Sequence, residues 1–272
     1  MKKTAFSARA EGLPGNNVDQ NPNPSGFKMV DKGHPNLSPV FRVEGELERK
    51  GEGMYDKMNS IGANEIIIES PSHSVKPEDI GLDQMARVLT TYRDRMADLE
   101  KDPRLRYTLI YKNSGTSAGA LYSHPMSLLA STPVIPKRVK EELDGAKQYF
   151  AYKERCIFCD LVREELRFGS RVIIETRSFV AFCPYASKFP FESWIMPKRH
   201  GCAFQDIRAD EIEDMALILS SVLKKLRHIF DSVSFNYFIH SAEQDTERTI
   251  GTLGGLSLAF GDNAEAFKDK RV

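Results

Sequence analysis

The sequence predicts an α+β body built from two copies of one strand, helix, strand unit, and three observations carry that expectation. Residues 64–73 and 191–200 each read as a strand that starts at a glutamate and reaches a histidine eight residues later. Each is followed by apolar residues recurring at three and four: Met85, Val88, Leu89, Tyr92, Met96 and Leu99, then Ile212, Met215, Leu219, Val222, Leu226 and Ile229. That period puts a single apolar face on a helix. An apolar, β-branched or aromatic run then closes each unit, at 107–111 and 235–239, with 39 positions from His73 to Lys112 and 40 from His200 to His240. The matched spacings imply an internal duplication and a pseudo-twofold.

Taken in order, residues 1–26 are rich in Gly, Pro and Asn and too poor in apolar side chains to offset the entropy of ordering, so a flexible arm is expected there. The first half then runs over 27–140 and the second over 141–272, divided near 141–155. The chain's 38 basic and 38 acidic residues leave no net charge to drive phosphate-backbone binding, which argues against nucleic acid as a partner. No apolar run approaches the roughly 18 residues of a membrane span, and the N-terminus lacks the apolar core of a signal peptide, so a soluble, cytoplasmic protein is expected. Four cysteines in 272 residues fit thiols or a metal site better than a disulfide framework.

Cys156-Ile-Phe-Cys159 is the sharpest local signal. Two thiolates at this spacing in a tight turn can meet one tetrahedral Zn²⁺, with His200 as third ligand and Cys202, His240 or water as the fourth; a redox pair or two buried thiols are the other readings. His73 and His124 are the first-half candidates for a second metal site. His34 and His228 read as exposed histidines. The small-residue loop after Tyr111, with Gly115 and Gly119, reads either as a phosphate cradle of backbone N–H groups or as a plain strand connection.

Asn113, the Gly115 and Gly119 loop, and His124-Pro125 stand in the order found in galactose-1-phosphate uridylyltransferases and the related ADP-glucose phosphorylases, members of the histidine-triad fold superfamily. Glu46-Leu-Glu-Arg-Lys-Gly-Glu-Gly-Met-Tyr-Asp56, Gly62-Ala-Asn-Glu-Ile-Ile-Ile-Glu69, Phe189-Pro-Phe-Glu-Ser-Trp-Ile-Met-Pro-Lys-Arg-His200 and Asn236-Tyr-Phe-Ile-His240 extend the resemblance over roughly residues 35–260. The resemblance implies two histidine-triad-like halves, each an antiparallel sheet with a long helix. It also implies nucleotide-sugar or sugar-phosphate partners, zinc, and a homodimer.

The family chemistry it implies is ping-pong nucleotidyl transfer through a histidine, because a neutral ring nitrogen is nucleophilic near pH 7 and its cationic adduct leaves readily. In the family's His-x-His-x-Gln motif the second histidine is the nucleophile and the glutamine donates to phosphoryl oxygens. The matching residues here are His124, Met126 and Leu128. Leu121 stands where many uridylyltransferases have a phosphate-binding serine, leaving Asn113 and Gly119 as the expected phosphate contacts. A thioether cannot carry the phosphoryl group, and losing one preorganised donor typically costs about 10²–10³ in rate. For His124 to substitute, its nitrogen must move about 6–7 Å along an extended segment.

The metal sites implied by the resemblance are incomplete. The first keeps His73 and His124 without a cysteine pair. The second keeps Cys156, Cys159 and His200, without the late His-Trp-His-type strand. The expected function is therefore a degenerate uridylyltransferase-like protein that still binds nucleotide or sugar phosphate. Its rivals are an active enzyme using His124 or another residue, and a zinc-stabilised protein-interaction module.

Overall fold

The computed structural model describes residues 34–35, 40–230, 234–241 and 255–260. The arm expected over 1–26 lies outside the described residues. Short pieces come first: β1 (His34–Pro35) and the hairpin β2 (Lys50–Glu52) and β3 (Tyr55–Lys57). The first unit is β4 (Ala63–Ile68), α1 (Leu82–Leu99), β5 (Tyr107–Ser114) and β6 (Met126–Thr132). Two helices follow, α2 (Lys137–Lys153) and α3 (Ile157–Phe168), then β7 (Val172–Glu175) and β8 (Phe179–Phe182). The second unit is β9 (Ser193–Pro197), α4 (Ala209–Ile229), β10 (Phe235–His240) and β11 (Gly255–Phe260).

The halves do not carry separate sheets. One nine-stranded sheet runs β1-β4-β6-β5-β10-β11-β9-β8-β7, with every neighbouring pair antiparallel. The seam is β5 on β10, where Asn113 faces Asn236 and Tyr111 faces Phe238. Outward from that seam the order is β6 then β4 on one side and β11 then β9 on the other.

Alternation along the strands decides what packs. Ile110, Leu129, Ile195 and Ile239 are buried in one core with α1 and α4. Every α1 residue expected on the apolar face is buried. On α4 the expected residues are buried through Leu226, but Ile229, at the last turn, is 53% exposed. The opposite sheet face is only half-buried at Leu128, Tyr111 and Phe238.

The region of the expected division, 141–155, covers most of α2 and the turn after it. Only Leu143 and Ala146 of α2 are buried, so its amphipathic signal is weak and the sequence did not declare it a helix. Its C-cap, Glu154, adopts φ 54°, a left-handed stop that commonly falls to glycine or asparagine. The next turn begins α3.

Candidate functional site

Strand β6 brings the His-Pro-Met-Ser-Leu segment to the sheet. Ser127 and Leu129 point into the helix-covered core, while Met126 and Leu128 lie on the other face and are half-buried. His124, just before the strand, is held at both ring nitrogens: Nε2 lies 2.9 Å from the Ser70 carbonyl oxygen and Nδ1 lies 2.8 Å from Nδ1 of His73. The carbonyl can only accept, so His124 carries its proton on Nε2 and the His73 Nδ1–H donates to it. The Glu69 N–H donates to the Pro125 carbonyl at 3.0 Å, tying the strand to the end of β4.

The loop after β5 is glycine-dependent at two points. Gly115 has φ 85°, and a Cβ there would collide with Ser234 Oγ; Gly119 has φ 76°. The N–H groups of Ala118 and Ala120 donate to the Gly115 carbonyl, and that of Gly119 to Thr116. Those three donors are therefore engaged within the loop. Asn236 latches it from the second half, donating through Nδ2 to Asn113 Oδ1 and to the Ala118 carbonyl, each at 2.7 Å.

Along the half-buried face of the seam lies a cleft of about 440 Å³, lined by Asn113, Tyr111, Leu109 and Tyr107 from β5 and Asn236, Phe238 and His240 from β10. Arg138, Val139 and Glu142 of α2 form one wall, and Lys188, Glu192 and Trp194 another. Burial pushes His240 down to about 4 and Tyr107 up to about 12, and it raises Glu142 above the usual carboxylate range. An aromatic floor with amides at one end and mixed charges at the other has the size and character of a small-molecule site. Leu128 pairs with Tyr111, so the cleft adjoins the strand that carries Met126.

Cys156 is the N-cap of α3 and Cys159 lies in its first turn. The helical i, i+3 relation, in place of the expected tight turn, puts both sulfurs on one face. Ligand atoms of Cys156, Cys159 and His200 all lie within 4.8 Å of one another, with Cys159 Sγ 3.2 Å from His200 Nδ1. On the protein charges alone, burial and the adjacent Cys156 push Cys159 up to about 11. Two thiols and an imidazole match the donor preference and tetrahedral spacing of zinc. Neither Cys202 nor His240 joins the cluster: Cys202 is buried, and His240 Nδ1 faces Glu142 Oε2 at 3.8 Å. His73 and His124 do come together, as a directly hydrogen-bonded pair. Among the described residues they belong to no group of three ligands. His228 lines a separate groove beside the end of α4, and the backbone of His34 pairs β1 with β4.

Residues 142–251 match the family model for the C-terminal domain of galactose-1-phosphate uridyl transferase. The chain is 30% identical to an ADP-glucose phosphorylase of Arabidopsis thaliana over 216 residues, 79% of this chain and 60% of that protein. It is 28% identical to the galactose-1-phosphate uridylyltransferase of Thermotoga maritima over 182 residues, 67% of this chain and 57% of that one. A solved ADP-glucose phosphorylase from Arabidopsis thaliana, with bound ADP-glucose, superposes with a TM-score of 0.70 at 30% identity, covering 75% of this chain and 64% of its own. The chain belongs to the galactose-1-phosphate uridylyltransferase family.

The chain spans 60% of the length of the first of these curated relatives and 57% of the second. Beneath Met126 this family member holds a buried polar cluster that the sequence did not reveal. Glu69 accepts from Lys112 Nζ at 2.5 Å, from Ser127 Oγ, and from the hydroxyls of Tyr92 and Tyr237 at 3.1 and 3.3 Å. Lys112 also reaches the Met126 carbonyl at 3.3 Å. The signal was present in the period: Lys112 stands two residues from core Ile110, on the same face of β5.

Proposed function

We propose that the chain is a uridylyltransferase-family protein that binds a nucleotide sugar or sugar phosphate and has lost the histidine-based transfer step. One observation carries this reading: both ring nitrogens of His124, the residue best placed to substitute at the nucleophile position, are engaged, one by Ser70 and one by His73. With Met126 and Leu128 at the positions of the family's nucleophile and phosphate donor, in-line attack by His124 requires breaking one of those bonds and shifting along the strand. The aromatic cleft and the Asn113 and Asn236 amides beside the Gly119 loop support retained binding. The symmetrical strand order about the seam supports internal duplication as the origin of the two halves.

The test is incubation of the full chain with labelled UDP-glucose or ADP-glucose. No acid-labile protein adduct is expected, whereas UMP or AMP should bind in the micromolar range by calorimetry. Installing Met126→His together with Leu128→Gln should create the adduct. An adduct formed by the unaltered chain at rates typical of its relatives overturns the loss of transfer. Absence of binding by either nucleotide overturns the retained site.

A further inference from the structure

We propose that the groove between the β2–β3 hairpin and the start of α2 is a second ligand site, for a small oligophosphate, an anion carrying two or more phosphate groups. It is separate from the strand start that carries Met126. Met126 opens β6 and Thr132 closes it, a span of about 20 Å, and the groove lies at the Thr132 end, where the Arg106 N–H donates to the Thr132 carbonyl. Its volume is about 610 Å³. Arg49, Lys50 and Lys57 line it from the hairpin, and Arg106 and Lys140 from the body, against one acid, Asp56, among its lining residues.

These cations are placed against their own repulsion. Lys50 stands directly across from Lys57 in the hairpin register, an arrangement of like charges that weakens a strand pair. Lys140 lies near the start of α2, where a cation opposes the helix dipole. Some neighbours are balanced: Lys50 holds Glu48 at 3.1 Å, Lys57 holds Glu52, and Lys137 holds Glu141 at 3.6 Å. Arg49 and Lys140 join no ion pair among the described residues, so unbalanced positive charge remains on both walls of the groove.

The hairpin has little packing to hold it against that repulsion. Every residue of β2 and β3 is exposed, and a two-stranded hairpin alone is marginal in water. Arg104 clamps its base, donating to the Gly45 carbonyl at 2.7 Å and the Val43 carbonyl at 3.1 Å. A bridging anion resolves the conflict, because it accepts charge-assisted hydrogen bonds from guanidinium and ammonium groups on both walls at once. The number of cations and the size of the groove call for more than one phosphate group. The chain's zero net charge supplies no wider excess of cations for a nucleic-acid backbone, so the ligand is small.

Calorimetric titration of the unaltered chain with inorganic tripolyphosphate at fixed ionic strength should give saturable binding, and hydrogen exchange across residues 50–57 should slow in the bound state. Arg49→Gln with Lys140→Gln removes one exposed cation from each wall, and losing two charge-assisted hydrogen bonds should weaken binding by about tenfold or more. Lys147→Gln with Lys153→Gln makes the same change in net charge on later turns of α2 and should leave binding as it was. These readouts stand whether or not UMP or AMP binds in the seam cleft. Absence of tripolyphosphate binding, an equal loss in both double variants, or an unprotected hairpin overturns the proposal. So does tighter binding of a single-stranded oligonucleotide than of tripolyphosphate.

Discussion

A lysine ammonium with 2% of its side chain exposed survives only with acceptors around it, and Lys112 finds Glu69, itself 1% exposed. Removing one partner of a buried pair strands the other charge, which typically costs about 3–5 kcal/mol. Lys112→Met should therefore lower unfolding stability by that order in urea. Adding Glu69→Gln, which keeps an acceptor oxygen for Ser127 and Tyr92, should recover part of the loss. Equal stability of Lys112→Met and the unaltered chain would show that the pair is not charged in the fold. His240 gives a second prediction, on pH. Its folded value of about 4 lies below the ordinary 6.5, so between these values the unfolded chain binds a proton that the fold refuses. Its contribution is complete above pH 6.5 and falls as pH drops toward 4, by about 3 kcal/mol at most at 1.36 kcal/mol per unit. The raised carboxyl of Glu142 works in the opposite direction over its own range. Comparing urea midpoints at pH 7 and pH 5, His240→Gln should be less acid-sensitive than the unaltered chain.

Among the elements, two glycines make opposite predictions. Gly115 combines φ 85° with ψ 152°, a region nearly closed to other residues, and has Ser234 against its absent Cβ. Gly115→Ala should destabilise the chain by about 1–3 kcal/mol or more and weaken nucleotide binding in the same calorimetric titration. Gly145 lies inside α2 with nothing within 4 Å of the position a Cβ would take, so Gly145→Ala should stabilise by about 0.5–1 kcal/mol in thermal unfolding. The long helices and the strands that flank them were legible because their periods are strong and their faces are buried. Helices α2 and α3 were not, since α2 buries only two side chains and the cysteines of α3 drew attention to a turn. Strands β7 and β8 were also missed: Phe179–Phe182 is buried at every position, so it lacks the alternation that marks a half-buried strand. In the candidate site, sequence alone brought Cys156, Cys159 and His200 together and paired His73 with His124. It could not show where Cys202 and His240 point, because that depends on how separate elements pack.

For the molecule as a whole, the continuous sheet and the shared core of α1 and α4 imply one cooperative unit. The single tryptophan, Trp194, lies on β9 in the second half, while far-UV circular dichroism reports helices of both. Denaturant curves followed by the two signals should share one midpoint. Separate midpoints would show halves that unfold independently. No helix among the described residues is long and apolar enough to cross a membrane.

The Asn236 latch has an implication for ancestry and engineering. Because an amide of the later half closes a turn belonging to the earlier one, the two cannot be traded independently with those of a relative. A chimaera that imports one half without a compatible amide opposite should leave the glycine turn unclasped, even where every strand finds its neighbour.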